Sequence, residues 1–90
     1  MKKHFNLRIK GKVQGVFFRA STQEKAREFG VFGWVRNEED GEVYIEAEGE
    51  ENDLNDFINW CRTGPPLAQV KDCTTWEEPM KGFTRFQIIR

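Results

Sequence analysis

The first third of the chain switches period once, and that switch limits the folds open to it. Phe5, Leu7 and Ile9 alternate with Asn6, Arg8 and Lys10, the period-two pattern of a strand with one buried face. Gly11 and Gly15 then bracket a short loop, and from about Ala20 the composition turns helical. Phe18, Thr22, Ala26 and Phe29 recur at helical spacing and are expected to face the core. Ser21 with Glu24 has the form of a capping box, and Gly30 is a natural stop. A strand that feeds directly into a helix must be followed by a second strand against which both can pack.

The rest of the sequence supplies it. A strand is expected over about Gly33 to Glu39, and Asp40-Gly41 reads as a two-residue hairpin turn. The next strand carries Val43, Ile45 and Ala47 on one face and Tyr44, Glu46 and Glu48 on the other, and Gly49 closes it. Leu54, Phe57, Ile58 and Cys61 then mark the apolar stripe of a second helix. Glu50, Glu51 and Asp53 crowd its start, where the dipole favours acids, and Gly64-Pro65-Pro66 ends it. Val70 to Trp76 reads as a fourth strand, and Phe86, Ile88 and Ile89 as a short last one. This order is a split βαβ arrangement with one extra short strand. It implies an α+β fold: an antiparallel sheet with both helices on one face and water on the other. With 90 residues, one domain spanning 1–90 is expected.

Eight Phe and three Trp provide the large apolar areas that so short a chain needs for its core. Trp34, Trp60 and Trp76 read as packing residues, with Trp60 half exposed, and His4 as a solvated residue near a frayed end. The net charge of −1 conceals an asymmetry: residues 1–30 hold eight Lys/Arg and two Glu, residues 31–90 six Lys/Arg and thirteen Asp/Glu. The basic third contains the loop and its field draws anions there, although an ordinary mixed surface accounts for the balance equally well. The overall balance argues against non-specific nucleic-acid binding. Cys61 and Cys73 form no CxxC or Cys/His cluster, so no metal is expected. A disulfide between them stays open, but reduced, partly buried thiols are the expectation, because Met1-Lys2-Lys3-His4 opens straight into a strand pattern with no secretory signal. With no apolar run of membrane-spanning length, a soluble cytoplasmic protein is expected, and a monomer at this size.

The loop itself carries the chemistry. Gln14, Gly15, Val16, Phe17, Phe18 and Arg19 join the first strand to the first helix, whose free N–H groups point at the loop mouth. Gly15 lets the backbone bend and an anion come close. Val16, Phe17 and Phe18 have no polar atoms beyond the main chain and serve to anchor the loop. Arg19 adds a planar fork matched to two phosphoryl oxygens. No Cys, Ser, Thr or His lies between Gln14 and Arg19, so a phosphate cradle here means binding alone or direct attack by water. On glycine and arginine spacing alone, the simpler reading is a hydrophobic turn with an exposed arginine. Asn37, just before the Asp40-Gly41 turn, is on spacing alone a turn residue; its functional reading is an amide that holds a water. Arg36 reads as a surface residue, and Lys12 adds charge near the loop.

Gly11-Lys12-Val13-Gln14-Gly15-Val16-Phe17-Phe18-Arg19 together with Gly33-Trp34-Val35-Arg36-Asn37 resembles the acylphosphatases, small enzymes that hydrolyse the carboxyl–phosphate bond. The resemblance continues through Asp40-Gly41-Glu42-Val43, Ala47-Glu48-Gly49 and Gly64-Pro65-Pro66, nearly the whole chain. It implies a ferredoxin-like α/β sandwich, substrate phosphate bound by Arg19 and the amides of Gln14 to Arg19, and an attacking water positioned by Asn37. Position 17 varies within the family, and Leu67 stands where a small residue is more usual. The implied substrate is a small acyl phosphate, with inorganic phosphate as product and competitor and no cofactor. Two rivals stand beside it. One is a non-catalytic anion-binding domain, such as occurs within larger proteins that handle carbamoyl phosphate; a chain that begins with Met1 and ends with the domain favours the free enzyme. The other is a ferredoxin-like RNA-binding module, for which the face carrying Arg8, Lys10, Tyr44, Glu46 and Glu48 has too few aromatics and too many acids.

Overall fold

The computed structural model describes residues 1–90. Its elements are β1 (Lys2–Lys12), α1 (Phe18–Phe29), β2 (Phe32–Asn37), β3 (Val43–Glu50), α2 (Glu51–Thr63), β4 (Gln69–Glu78) and β5 (Phe86–Ile88). The strands form one sheet in the order β4-β1-β3-β2-β5. The split βαβ order is present, but the sheet is mixed rather than antiparallel: β5 runs parallel to β2, with Val35 opposite Ile88.

Period two sorts the sheet residues as expected on one face. Leu7 pairs with Ile45 and Ile9 with Val43, and all four are fully buried. They meet Phe18 and Ala26 of α1 and Leu54, Phe57 and Cys61 of α2 in a single apolar cluster. Both cysteines are free thiols, and burial pushes the Cys61 thiol well above its ordinary pKa. Trp60 packs half-buried against the cluster, its ring 5.9 Å from that of Phe18.

Two local expectations change. Helix α1 begins at Phe18, with Phe17 as the N-cap residue and no side-chain cap, so Ser21 and Glu24 lie inside the helix and form no capping box. The hairpin is longer than two residues: Glu38 N donates to Glu42 O at 2.8 Å, leaving Glu39, Asp40 and Gly41 as a three-residue loop. Asp40 Oδ1 accepts from Glu42 N and fixes its shape.

The second face of the sheet does not lie open to water. His4, Asn6, Glu46 and Glu48 are all buried there. The segment after β4 crosses over them: the backbone N–H groups of Lys81, Gly82 and Phe83 all donate to the Glu48 carboxylate, at 3.0 Å from Gly82 and 2.9 Å from Phe83. His4 is therefore no solvated terminal residue. Its Nδ1 lies 2.7 Å from Glu48 Oε2 and its Nε2 2.7 Å from Asn6 Oδ1. Lys81 Nζ closes the network on Glu46 at 2.7 Å. Further along the same face Trp34 stacks on Tyr44 and Trp76 meets Tyr44 edge-on, so this face carries three aromatic rings rather than the one expected. Arg8 and Arg36 lie over Tyr44 but are already paired with Glu42 and Glu38.

Candidate active site

The loop between β1 and α1 is held from below by apolar side chains. Val13, Val16 and Phe18 are buried, and the Phe18 ring rests on the turn after α2, where a Cβ on Gly64 would lie 2.6 Å from it. That contact, with φ +74° at Gly64, accounts for glycine in the Gly64-Pro65-Pro66 turn. Phe17 departs from the expected anchoring role. Its side chain is 74% exposed, and its backbone is left-handed at φ 62°. It is the only residue other than glycine with positive φ, a conformation that costs about 1–2 kcal/mol when a Cβ is present.

From above, the loop is tied to the β2–β3 hairpin. The Gln14 side-chain nitrogen donates to Glu38 O at 2.8 Å and to Glu42 O at 2.9 Å. Sequence reasoning assigned Gln14 only a backbone amide and missed this strut, because its partners are main-chain carbonyls that leave no mark on the sequence. The backbone N–H groups of Gln14, Gly15, Val16 and Phe17 donate to no acceptor in the protein. The first amides of α1 have no intrahelical partner either, by helix geometry. The first turn of α1 contains no acid and does contain Arg19, whereas α2 begins with Glu51 and Asp53. A cation at a helix start is unfavourable unless an anion lies between them.

Asn37 ends β2 on the face that Val35 shares, by period two, and so points toward the helix layer and the loop. Gln14, Gly15, Phe17, Phe18, Arg19 and Asn37 line one cleft of about 300 Å³. Val16 does not reach it. Arg19 makes no ion pair and no hydrogen bond to another side chain. The Asn37 carboxamide oxygen is buried with no hydrogen-bond partner, the one buried side-chain polar atom in that condition. Leaving such an atom unpaired costs on the order of 1–3 kcal/mol, so it calls for an explanation in function. Lys12 and Arg36 lie outside the cleft. Ile88 and Arg90 complete its rim, and sequence reasoning missed both. No local pattern marks them: they arrive because β5 pairs beside β2, with Ile89 N donating to Val35 O at 2.8 Å.

A split βαβ fold with unpaired main-chain amides, Arg19, Arg90 and the Asn37 carboxamide around a small cleft has the donors of an anion-binding site, and no Cys, Ser, Thr or His lines it. The acylphosphatase family model matches residues 5–88. An acylphosphatase of Methylococcus capsulatus is 44% identical over 89 residues, covering 98% of this chain and 97% of that protein. The crystal structure of acylphosphatase from Bacillus subtilis superposes with a TM-score of 0.95 at 37% identity, each chain covered completely. A crystal structure of full-length HypF in a phosphate- and nucleotide-bound form matches the whole of this chain with 12% of its own length, at a TM-score of 0.89 and 29% identity. The chain belongs to the acylphosphatase family. It is an enzyme of that class, built on the ferredoxin-like α+β fold, and its substrates are small acyl phosphates. No helix is long and apolar enough to cross a membrane.

Proposed function

We propose that this protein hydrolyses acyl phosphates to carboxylate and inorganic phosphate by direct attack of one positioned water. The amides of Gln14 to Arg19 and the Arg19 guanidinium hold the phosphoryl group and take up its charge. The Asn37 carboxamide, which can donate as well as accept, holds the attacking water and sets it in line. The leaving group is a carboxylate, stable at neutral pH, so no general acid is required. Asn37 is not basic, and the water's proton passes to a phosphoryl oxygen of the substrate. The whole of residues 1–90 acts as one domain, and no metal or cofactor enters the scheme.

The observation that carries this reading is the convergence of Asn37, Arg19 and loop amides that have no protein acceptor on one cleft. The test is hydrolysis of benzoyl phosphate by the wild type, Arg19→Ala and Arg19→Lys. Loss of one preorganised charge-stabilising group costs on the order of 2–4 kcal/mol of transition-state stabilisation, roughly a hundred- to thousandfold in rate. Arg19→Lys is expected to fail as well, since an ammonium cannot replace the fork. Inorganic phosphate is expected to compete in the wild type, and chelators to change nothing. Near wild-type turnover in Arg19→Ala removes the role given to Arg19, whereas a wild type that binds phosphate and turns nothing over leaves the anion-binding reading.

A further inference from the structure

Phe17 is the residue of the loop that the phosphoryl chemistry does not explain. Its backbone amide belongs to the cradle, but a glycine would present that amide at φ 62° without strain. Its ring is not an anchor either, since Val16 and Phe18 are buried and Phe17 is 74% exposed. An aromatic side chain held in a disfavoured conformation at the edge of a site, with no packing to offset it, points to a use outside the fold. Phe17 lines the same cleft as Arg19 and Asn37, and Ile88 is the apolar residue that the last strand adds to Val13, Phe18 and Ala20 there.

We propose that Phe17, with Ile88, forms the platform that receives the acyl half of the substrate, making Phe17 the residue that determines acyl specificity toward flat or branched apolar groups. This rests on the acyl phosphate reading above. The phosphoryl end is fixed by the loop amides, so the carboxyl carbon and its substituent project outward past residue 17. A planar acyl group stacks or packs on the ring, and a methyl group is too small to use it.

The experiment measures kcat/KM for benzoyl phosphate and acetyl phosphate with the wild type, Phe17→Gly, Phe17→Tyr and Ile88→Ser, together with the inhibition constant of inorganic phosphate. Comparing the ratio of the two substrates between each variant and the wild type cancels their intrinsic reactivities. The benzoyl-to-acetyl ratio is expected to fall roughly three- to tenfold in Phe17→Gly, the range of one aromatic contact, through KM rather than kcat. It is expected to survive in Phe17→Tyr and to fall by a smaller factor in Ile88→Ser. A ratio unchanged within twofold in Phe17→Gly overturns the platform while leaving acyl phosphate hydrolysis standing. An equal loss on both substrates, with weaker phosphate inhibition, also overturns it and assigns the ring to the cradle. A wild type that turns over neither substrate removes both this inference and the function it rests on.

Discussion

The Gln14 side-chain nitrogen donates to the main-chain oxygen of Glu38 at 2.8 Å, one residue past Asn37. The loop and Asn37 sit on different elements, and this strut, with its second bond to Glu42 O, holds the loop to the hairpin that Asn37 leads into. Replacing Gln14 by Ala removes two hydrogen bonds worth about 1 kcal/mol each at most. A misplacement of about 1 Å between reacting groups costs on the order of a hundredfold in rate. Gln14→Ala is therefore expected to lose roughly ten- to a hundredfold in kcat/KM, with an unfolding free energy lower by about 1–2 kcal/mol. Parallel kinetics and urea titrations check this, and equal activity with a lowered midpoint would show the strut to be structural only.

Asn37 makes a sharper case, because its carboxamide oxygen lacks a partner in the fold. Asn37→Ala is expected to abolish nearly all hydrolysis, a loss on the order of 2–4 kcal/mol in transition-state stabilisation. Removing a buried unsatisfied group relieves part of its cost, so the urea midpoint is expected to stay level or rise. Loss of activity together with a collapse of the unfolding transition would contradict this.

Glu48 is expected to contribute to the acid side of the stability profile. Its burial raises the carboxyl pKa, but the N–H groups of Lys81 and Phe83 and the His4 ring act against this more strongly, and the net pKa lies below the ordinary value of 4.5. A folded pKa below the unfolded one contributes stability that is present above the unfolded value and lost as pH falls through the folded one. Urea midpoints are thus expected to be level from pH 7 to about 5 and to fall below about 4.5. Glu48→Gln is expected to flatten that acid slope and to lower stability at pH 7. Glu48→Ala, which strands His4 and three backbone donors, is expected to cost about 3 kcal/mol or more. An unchanged acid slope in Glu48→Gln would place the titration elsewhere.

Gly64 links the far turn to the site. An added Cβ would lie 2.6 Å from the Phe18 ring at a backbone φ of +74°. Overpacking of this kind costs about 1–3 kcal/mol, and the left-handed backbone adds about 1–2 more. Because Phe18 stands between Phe17 and Arg19, Gly64→Ala is expected to lower kcat/KM for acyl phosphates as well as the urea midpoint. Glu48→Gln lies on the opposite face of the sheet and supplies the control, with a lowered midpoint and nearly unchanged turnover at pH 7. Equal activities in the two variants would break the link between the turn and the loop.

Much of the fold was legible because its signals are local. Leu7, Ile9, Val43 and Ile45 announce their face by alternation, and Leu54, Phe57, Ile58 and Cys61 announce theirs by helical spacing. Arg19 and Asn37 were not legible in this way: on spacing alone they read as an exposed arginine and a turn residue, and only the family resemblance singled them out. The capping box at Ser21 failed for a physical reason: the helix begins three residues earlier, at Phe18, so Ser21 lies inside it and its backbone N–H already donates to Phe17 O. The exposed Phe17 was misjudged because apolar character alone does not distinguish an anchor from a rim.

Taken alone, the sequence determined the order of elements and the apolar face of each, since each is written within a few residues of chain, while the pairing of the loop and Arg19 with Asn37 came from the resemblance to the acylphosphatases. Only the tertiary structure decided what covers the second face of the sheet and what closes the cleft. His4 and Glu48 are 44 residues apart, and Glu48 meets Phe83 across 35 more. Ile88 and Arg90 reach the cleft only because the last strand pairs parallel to β2. Such meetings depend on hydrogen bonds to main-chain groups and on sheet order, and neither has a periodicity that a side-chain pattern records.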